Sequence, residues 1–160
     1  MLVYLSLGSN VGNREAHLRE AQQRLSQLGR VVSVSSYYET EPVEFTNQPW
    51  FLNAALALET NLAPHDLMHS ILKIEREMGR ERLQKKGPRT IDIDILLFGD
   101  SIVNSPEVTI PHPAMPHRRF VLEPLAEIAA ESRHPFLNKT VRDLLEALPP
   151  RPVVRRHVQR

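Results

Sequence analysis

The chain reads as an α+β fold: a ferredoxin-like βαββαβ core, with a mostly antiparallel sheet flanked by helices, followed by short C-terminal helices. Three observations predict it. Two stretches carry apolar residues at helical spacing, Leu18-Ala21-Leu25-Leu28 and Leu67-Ile71-Ile74-Met78. One strand-like run precedes the first stretch, two lie between the stretches, and one follows the second. In the resulting order β, α, β, β, α, β, both helices cover one face of a sheet of about four strands.

Each element has a local reason. Val3 to Leu7 is an apolar strand, and Gly8-Ser9-Asn10-Val11-Gly12-Asn13 is a turn of residues that tolerate unusual backbone angles. Asn13 suits the cap of the first helix, and Gly29 suits a left-handed stop. Val31 to Glu39, rich in Val, Ser and Tyr, is a second strand; Glu41 to Trp50, with two prolines, is a loop; Phe51 to Thr60 is a third strand. Pro64 fits the first turn of the second helix and Gly79 its end. A basic loop from Arg80 to Thr90 leads into the strand Ile91 to Phe98 and the turn Gly99-Asp100. Prolines 106, 111, 113 and 116 break up the last third, where Leu122 to Ala130 and Val141 to Ala147 read as short helices and the tail from Pro149 as loosely held.

A length of 160 residues suits one domain over positions 1–160. Without cysteine, no disulfide, thiolate metal site or thiol nucleophile is available. No leader pattern or membrane-spanning run is present, and a monomer in the cytoplasm is expected. The net charge of +1 is too small for a general nucleic-acid binder. Only four of the 20 basic residues are lysine, and six cluster as Arg76, Arg80, Arg82, Lys85, Lys86 and Arg89. Arginine suits bidentate phosphate contacts, with a solvated surface as the alternative.

The sharpest chemical feature is Arg89-Thr90-Ile91-Asp92-Ile93-Asp94-Ile95. Strand alternation sends the isoleucines to one layer and stands Asp92 and Asp94 together on the other. Two adjacent carboxylates repel unless a hard cation such as magnesium lies between them; the alternative is a wet polar strand face. Aspartate is a poor strand former, and this pair follows a basic loop directly, as nucleoside triphosphate chemistry requires. No G-x-x-x-x-G-K-[ST] loop is present. Phe51 and Asn53 share a strand face and offer a stacking ring and an amide to a flat heterocycle, with Phe120 available from the other side; ordinary core packing is the alternative for both rings. His112, between Pro111 and Pro113, and Arg118 suit phosphate contacts, and His112 and His117 give only weak support for zinc.

Taken together, Gly8-Ser9-Asn10, Thr40-Glu41-Pro42-Val43, Gln48 to Ala55, Gly87-Pro88-Arg89-Thr90-Ile91-Asp92-Ile93-Asp94 and Pro111-His112 closely resemble the 6-hydroxymethyl-7,8-dihydropterin pyrophosphokinase family over nearly the whole chain. The resemblance implies transfer of diphosphate from ATP to the hydroxymethyl group of the pterin, giving AMP, in folate biosynthesis. It implies two magnesium ions on Asp92 and Asp94, and catalytic Arg80, Arg82 and Arg89 in a basic loop over the polyphosphate. Glu75, Thr109, His112 and Arg118 would bind ATP; Thr40, Val43, Phe51, Asn53 and Phe120 would bind the pterin. Lys86, Pro113 and Glu107 depart from the residues common in the family. An RNA-binding module of the same topology lacks its aromatic motif here, and a regulatory ligand-binding domain gives no reason for the aspartates beside the arginines.

Overall fold

A computed structural model of the chain describes residues 1–41, 49–79 and 90–157. The elements run β1 (Leu2–Ser9), α1 (Arg14–Leu25), β2 (Arg30–Val34), β3 (Tyr38–Thr40), β4 (Phe51–Glu59), α2 (Pro64–Gly79), β5 (Asp92–Phe98), β6 (Val103–Asn104), β7 (Thr109–Ile110), a 3-10 turn (Met115–His117), α3 (Arg119–Ala129), α4 (Val141–Glu146) and β8 (Val154–Arg156). The main sheet follows the path β5-β1-β4-β3-β8, with β2 also on β4, and every pairing in it is antiparallel. The expected βαββαβ core is present, its second strand divided into β2 and β3.

Both faces of the sheet are covered. On one, Val3, Leu5, Leu7, Leu52, Ala54, Leu56, Leu58, Ile93 and Ile95 pack against Leu18, Ala21 and Leu25 of α1 and Leu67, Ile71 and Ile74 of α2. On the other, Ala55, Leu96 and Leu97 pack against Val121, Leu122 and Leu125 of α3 and Val141 and Leu144 of α4. Double coverage explains why β4 is buried continuously from Leu52 to Leu58. Asn13 caps α1 as expected, its side chain accepting from the Ala16 amide at 3.1 Å. Thr140 and Asp143 form a reciprocal capping box on α4.

Four local readings change. Gly29 is not a left-handed helix stop, since α1 ends at Leu25 and the positive-φ glycines among the described residues are Gly12 and Gly99. Its need is close approach: a Cβ there would collide with the Glu59 carbonyl of β4. The strand expected over Val31 to Glu39 breaks at Ser35, whose hydroxyl accepts from the Ala55 amide at 2.9 Å and donates to the Ser36 carbonyl at 2.7 Å, drawing a side chain into the ladder. The third helix starts at Arg119, before Leu122, where the Arg119 guanidinium meets Glu123 one turn on at 2.5 Å. From Val153 to His157 the tail is held rather than loose, because β8 pairs with the outer edge of β3.

Leu56 has no exposed surface at the centre of β4. Leu56→Ala should lower stability by about 2–5 kcal/mol, read as a fall in the urea midpoint at unchanged slope.

Candidate functional site

The site follows from strand register. β1 lies between β4 and β5, and Gly8 is paired with Asn53 on one side and Asp92 on the other. Two residues back, Ser6 lies between Ala55 and Asp94, and on the far side of β4 Asn53 faces Tyr38 and Phe51 faces Thr40. Residues opposite one another in a ladder share a face. Val3, Leu5, Leu7, Ile93 and Ile95 occupy the face under α1 and α2. Ser6, Gly8, Phe51, Asn53, Asp92 and Asp94 therefore stand on the opposite face, at the end of the sheet beyond Ala55 and Leu96.

Gly8 makes this row possible. A Cβ at position 8 would lie 2.8 Å from Asn53 Nδ2 and 3.7 Å from the Phe51 ring. The Asn53 amide thus occupies space that any side chain at position 8 would claim, while the Phe51 ring stands at contact distance. Asn53 is 4 % exposed and its orientation is fixed, because the Thr40 hydroxyl donates to Asn53 Oδ1 at 2.8 Å. The Nδ2 side then points toward Gly8. Thr40, Phe51 and Asn53, singled out from sequence for heterocycle binding, are brought together.

A bulge in β5 brings in His112. Register with β1 shifts between Tyr4 and Leu5, whose partners are Leu97 and Ile95, so Leu96 has no β1 partner. Leu96 and Leu97 both join the core under α3, and the Leu96 carbonyl accepts the His112 amide at 3.1 Å. His112 Nε2 then lies 3.9 Å from Asp94 Oδ1. His112 Nδ1 accepts from the Ala114 amide at 3.1 Å, which leaves the neutral ring with its proton on Nε2, toward Asp94. Burial lowers the His112 pKa, Asp94 partly offsets that, and Arg118 adds to the lowering. At neutral pH the ring is a neutral Nε2–H donor.

Of the remaining predicted residues, Glu75, Thr109, Arg118 and Phe120 are described. Glu75 of α2 accepts the Ile93 amide at 2.8 Å, so it braces β5 between the two aspartates. Thr109 is exposed in β7, which lies against β5. Arg118 is exposed, its guanidinium 5.5 Å from the centroid of the Phe120 ring. Phe120 packs on the core under α3. Val43, Arg80, Arg82 and Arg89 lie outside the described residues.

The donor set fits magnesium bound with substrate phosphates. Asp92 and Asp94 lie on one face, and the Asp94 side chain is 45 % exposed. Among the described residues no three His, Asp or Glu side chains converge on a metal site. Magnesium accepts one or two carboxylates and takes its other oxygens from water and phosphate, whereas zinc would need the third protein ligand that is missing here.

Residues 4–130 match the family of 7,8-dihydro-6-hydroxymethylpterin-pyrophosphokinases, HPPK. The chain belongs to this family. Membership makes it an enzyme, and a pyrophosphokinase draws its diphosphate from ATP. An HPPK of Bacillus subtilis is 46 % identical over 132 residues, covering 81 % of this chain and 79 % of that protein. One of Methylorubrum extorquens is 44 % identical, covering 92 % and 93 %. The folic acid synthesis protein fol1 of Pneumocystis carinii is 40 % identical over 91 % of this chain, which spans only 20 % of that longer protein. The crystallised HPPK-DHPS of Plasmodium falciparum shares the fold at 19 % identity, with a TM-score of 0.70 over 91 % of this chain and 43 % of that one.

Sequence reasoning missed the brace around Trp50. Arg14 donates to the Trp50 carbonyl at 2.8 Å and to Glu39 at 3.2 Å, tying the start of β4 to α1 and β3. No local pattern marks Arg14, since its partners are distant in sequence. The Thr40–Asn53 bond is buried at both ends. Thr40→Val keeps the shape and removes the donor, and should cost about 1–3 kcal/mol, read by thermal or urea unfolding.

Proposed function

We propose that this chain transfers the terminal diphosphate of ATP to the hydroxymethyl group of 6-hydroxymethyl-7,8-dihydropterin, using the sheet face of Asn53, Gly8, Asp92 and Asp94. One observation carries the reading: a buried, oriented amide on β4 and a pair of carboxylates on β5 stand on one face of the sheet, with Gly8 of the intervening β1 between Asn53 and Asp92. A flat heterocycle against Asn53 directs its substituent along Gly8 toward the carboxylates. Phe51 and Phe120 supply stacking surfaces, with Thr40 and the backbone near Val43 at the pterin edge.

The substrate hydroxyl oxygen attacks the β-phosphorus in line. The new oxygen–phosphorus bond forms as the bond between the β-phosphorus and the α-bridging oxygen breaks; AMP leaves, and the hydroxyl proton passes to solvent. When bound, two magnesium ions on Asp92 and Asp94 would supply charge neutralisation for the polyphosphate. The His112 Nε2–H is placed to donate to a phosphate oxygen beside Asp94. Arg118 offers a further cation, and Glu75 and Thr109 suit the nucleoside end. Arg80, Arg82 and Arg89 are assigned to the polyphosphate by the family pattern alone. Most of the rate then comes from positioning and fixed charge. The same reading has the chain acting as a single monomeric domain in the cytoplasm.

The deciding assay measures AMP released from ATP and magnesium, with and without the pterin. Pterin-dependent AMP is expected, lost on chelation of magnesium and lowered at least about 100-fold in Asp94→Ala. ADP in place of AMP, or pterin binding without turnover, overturns the reading. Gly8→Ala should raise KM for the pterin about tenfold or more through the Asn53 collision, with the ATP KM little changed.

A further inference from the structure

Three consecutive side chains, Arg155 and Arg156 of β8 and His157 just after it, tie together three other elements. The backbone of β8 pairs with β3, placing Val154 opposite Thr40, Arg155 opposite Glu39 and Arg156 opposite Tyr38. The pairing extends at both ends: the His157 amide donates to the Tyr37 carbonyl at 2.7 Å, the Glu41 amide to the Val153 carbonyl at 3.2 Å, and the Val153 amide to Glu41 Oε1 at 2.8 Å. Arg156 reaches Glu127 of α3 at 3.2 Å, the carboxylate that also accepts the Tyr38 hydroxyl at 2.5 Å. On the other face, Arg155 lies 4.5 Å from the centroid of the Trp50 ring and 3.7 Å from Glu39. His157 bridges two acids, with Nε2 at 2.9 Å from Glu15 of α1 and Nδ1 at 3.3 Å from Glu39.

This bridge is a statement about charge. A neutral imidazole has one N–H and donates to one carboxylate; donating to both needs the imidazolium. The His157 and Glu39 side chains are only 15 % and 18 % exposed, so the contact is sheltered compared with an ordinary surface pair. The groups facing it are the two acids, the cations that hold them, and Tyr37. Glu15 on α1 is flanked by Arg14 and Arg19; Glu39 on β3 is held by Arg14 and Arg155; Tyr37 is engaged by Gln22 and presents its carbonyl.

We propose that His157 is a positioning residue for substrate recognition: as the imidazolium it clamps β8 onto Glu15 and Glu39, and the clamped strand holds β3 in the register from which Thr40 orients the Asn53 amide. The role rests on the assignment of Asn53 to the pterin. Thr40 is the last residue of β3, directly opposite Val154, so loosening β8 acts first on the residue that fixes the amide.

The direction of the pH dependence follows. The Glu15 bond raises the His157 pKa, burial opposes the rise, and the Glu39 bond reinforces it. The His157 bond lowers Glu15; at Glu39 burial pushes upward, but the His157 and Arg14 bonds outweigh it. A raised histidine stabilises fully below its unfolded value of about 6.5, and that contribution is lost as pH rises through the folded value. The lowered acids contribute above about 4.5, and their share is lost as pH falls through their folded values.

The test compares the full-length wild type with His157→Gln and His157→Arg from about pH 6 to pH 9. It reads the KM of each substrate, kcat, and the protection of the His157 amide relative to its intrinsic exchange rate at each pH. In the wild type, KM for the pterin should climb about five- to tenfold with pH while protection at His157 falls and the ATP KM stays flat. His157→Arg, permanently charged, should keep the low KM throughout, and His157→Gln should show the high KM throughout. If His157→Gln does not fold, the wild-type and His157→Arg profiles still decide. Superposed profiles of the two overturn the proposal at the clamp. Protection that falls with pH while Asn53→Ala leaves the pterin KM unchanged overturns it instead at the Asn53 assignment.

Discussion

A sheet covered on both faces leaves almost no room for polar side chains, and this constraint organises the molecule. Along β4, seven consecutive residues from Leu52 to Leu58 are buried, with one core under α1 and α2 and the other under α3. Polar groups in the inner strands survive where the α3 side of the sheet runs past its helical cover. That is where Ser6, Asn53, Asp92 and Asp94 stand. Desolvation makes each such group expensive unless it has a partner, and among the described residues no buried side-chain nitrogen or oxygen lacks one. The polar groups of the site are therefore held by partners, with the Asn53 amide set by Thr40 and the β5 backbone by Glu75.

Within that frame, two backbone devices shape the site. Gly8 keeps the strip between the Asn53 amide and Asp92 clear, which no side chain could do without striking Asn53. The β5 bulge resolves a conflict between chemistry and packing. Strict alternation after Asp92 and Asp94 would send Leu96 and Phe98 to the carboxylate face and Leu97 to the other. The extra residue instead puts Leu96 and Leu97 together under α3 and returns Phe98 to the core under α1 and α2. The same irregularity releases the carbonyl that seats His112.

The parts of this architecture that depend on local periodicity were legible in the sequence. The helical stripes, the Asn13 cap and the paired aspartates each follow from neighbours within a few residues. The family pattern pointed to residues such as Glu75 and Thr109 that spacing alone would not single out. What stayed hidden depends on contacts between distant segments. Ile95 to Phe98 is apolar at every position, so nothing in its pattern reveals a bulge. Gly29 looks like a helix stop because its true neighbour, the Glu59 carbonyl, lies thirty residues on. The tail after Pro149 looks loose because Val154 to Arg156 has no partner until β3 presents an outer edge. Ser35 reads as an ordinary strand residue until the Ala55 amide comes within reach of its hydroxyl.

The treatment of the two rims of the sheet also bears on how the protein survives at high concentration. An open strand edge templates pairing with another chain, the first step toward ordered aggregates. At the β5 rim, the Ile93 amide is taken by Glu75. At the opposite rim β8 covers β3, and the outermost strand becomes a three-residue segment carrying two arginines. Short, positively charged edges repel their own kind and offer few amides in a row, so the arrangement that completes the fold also guards the sheet against self-association.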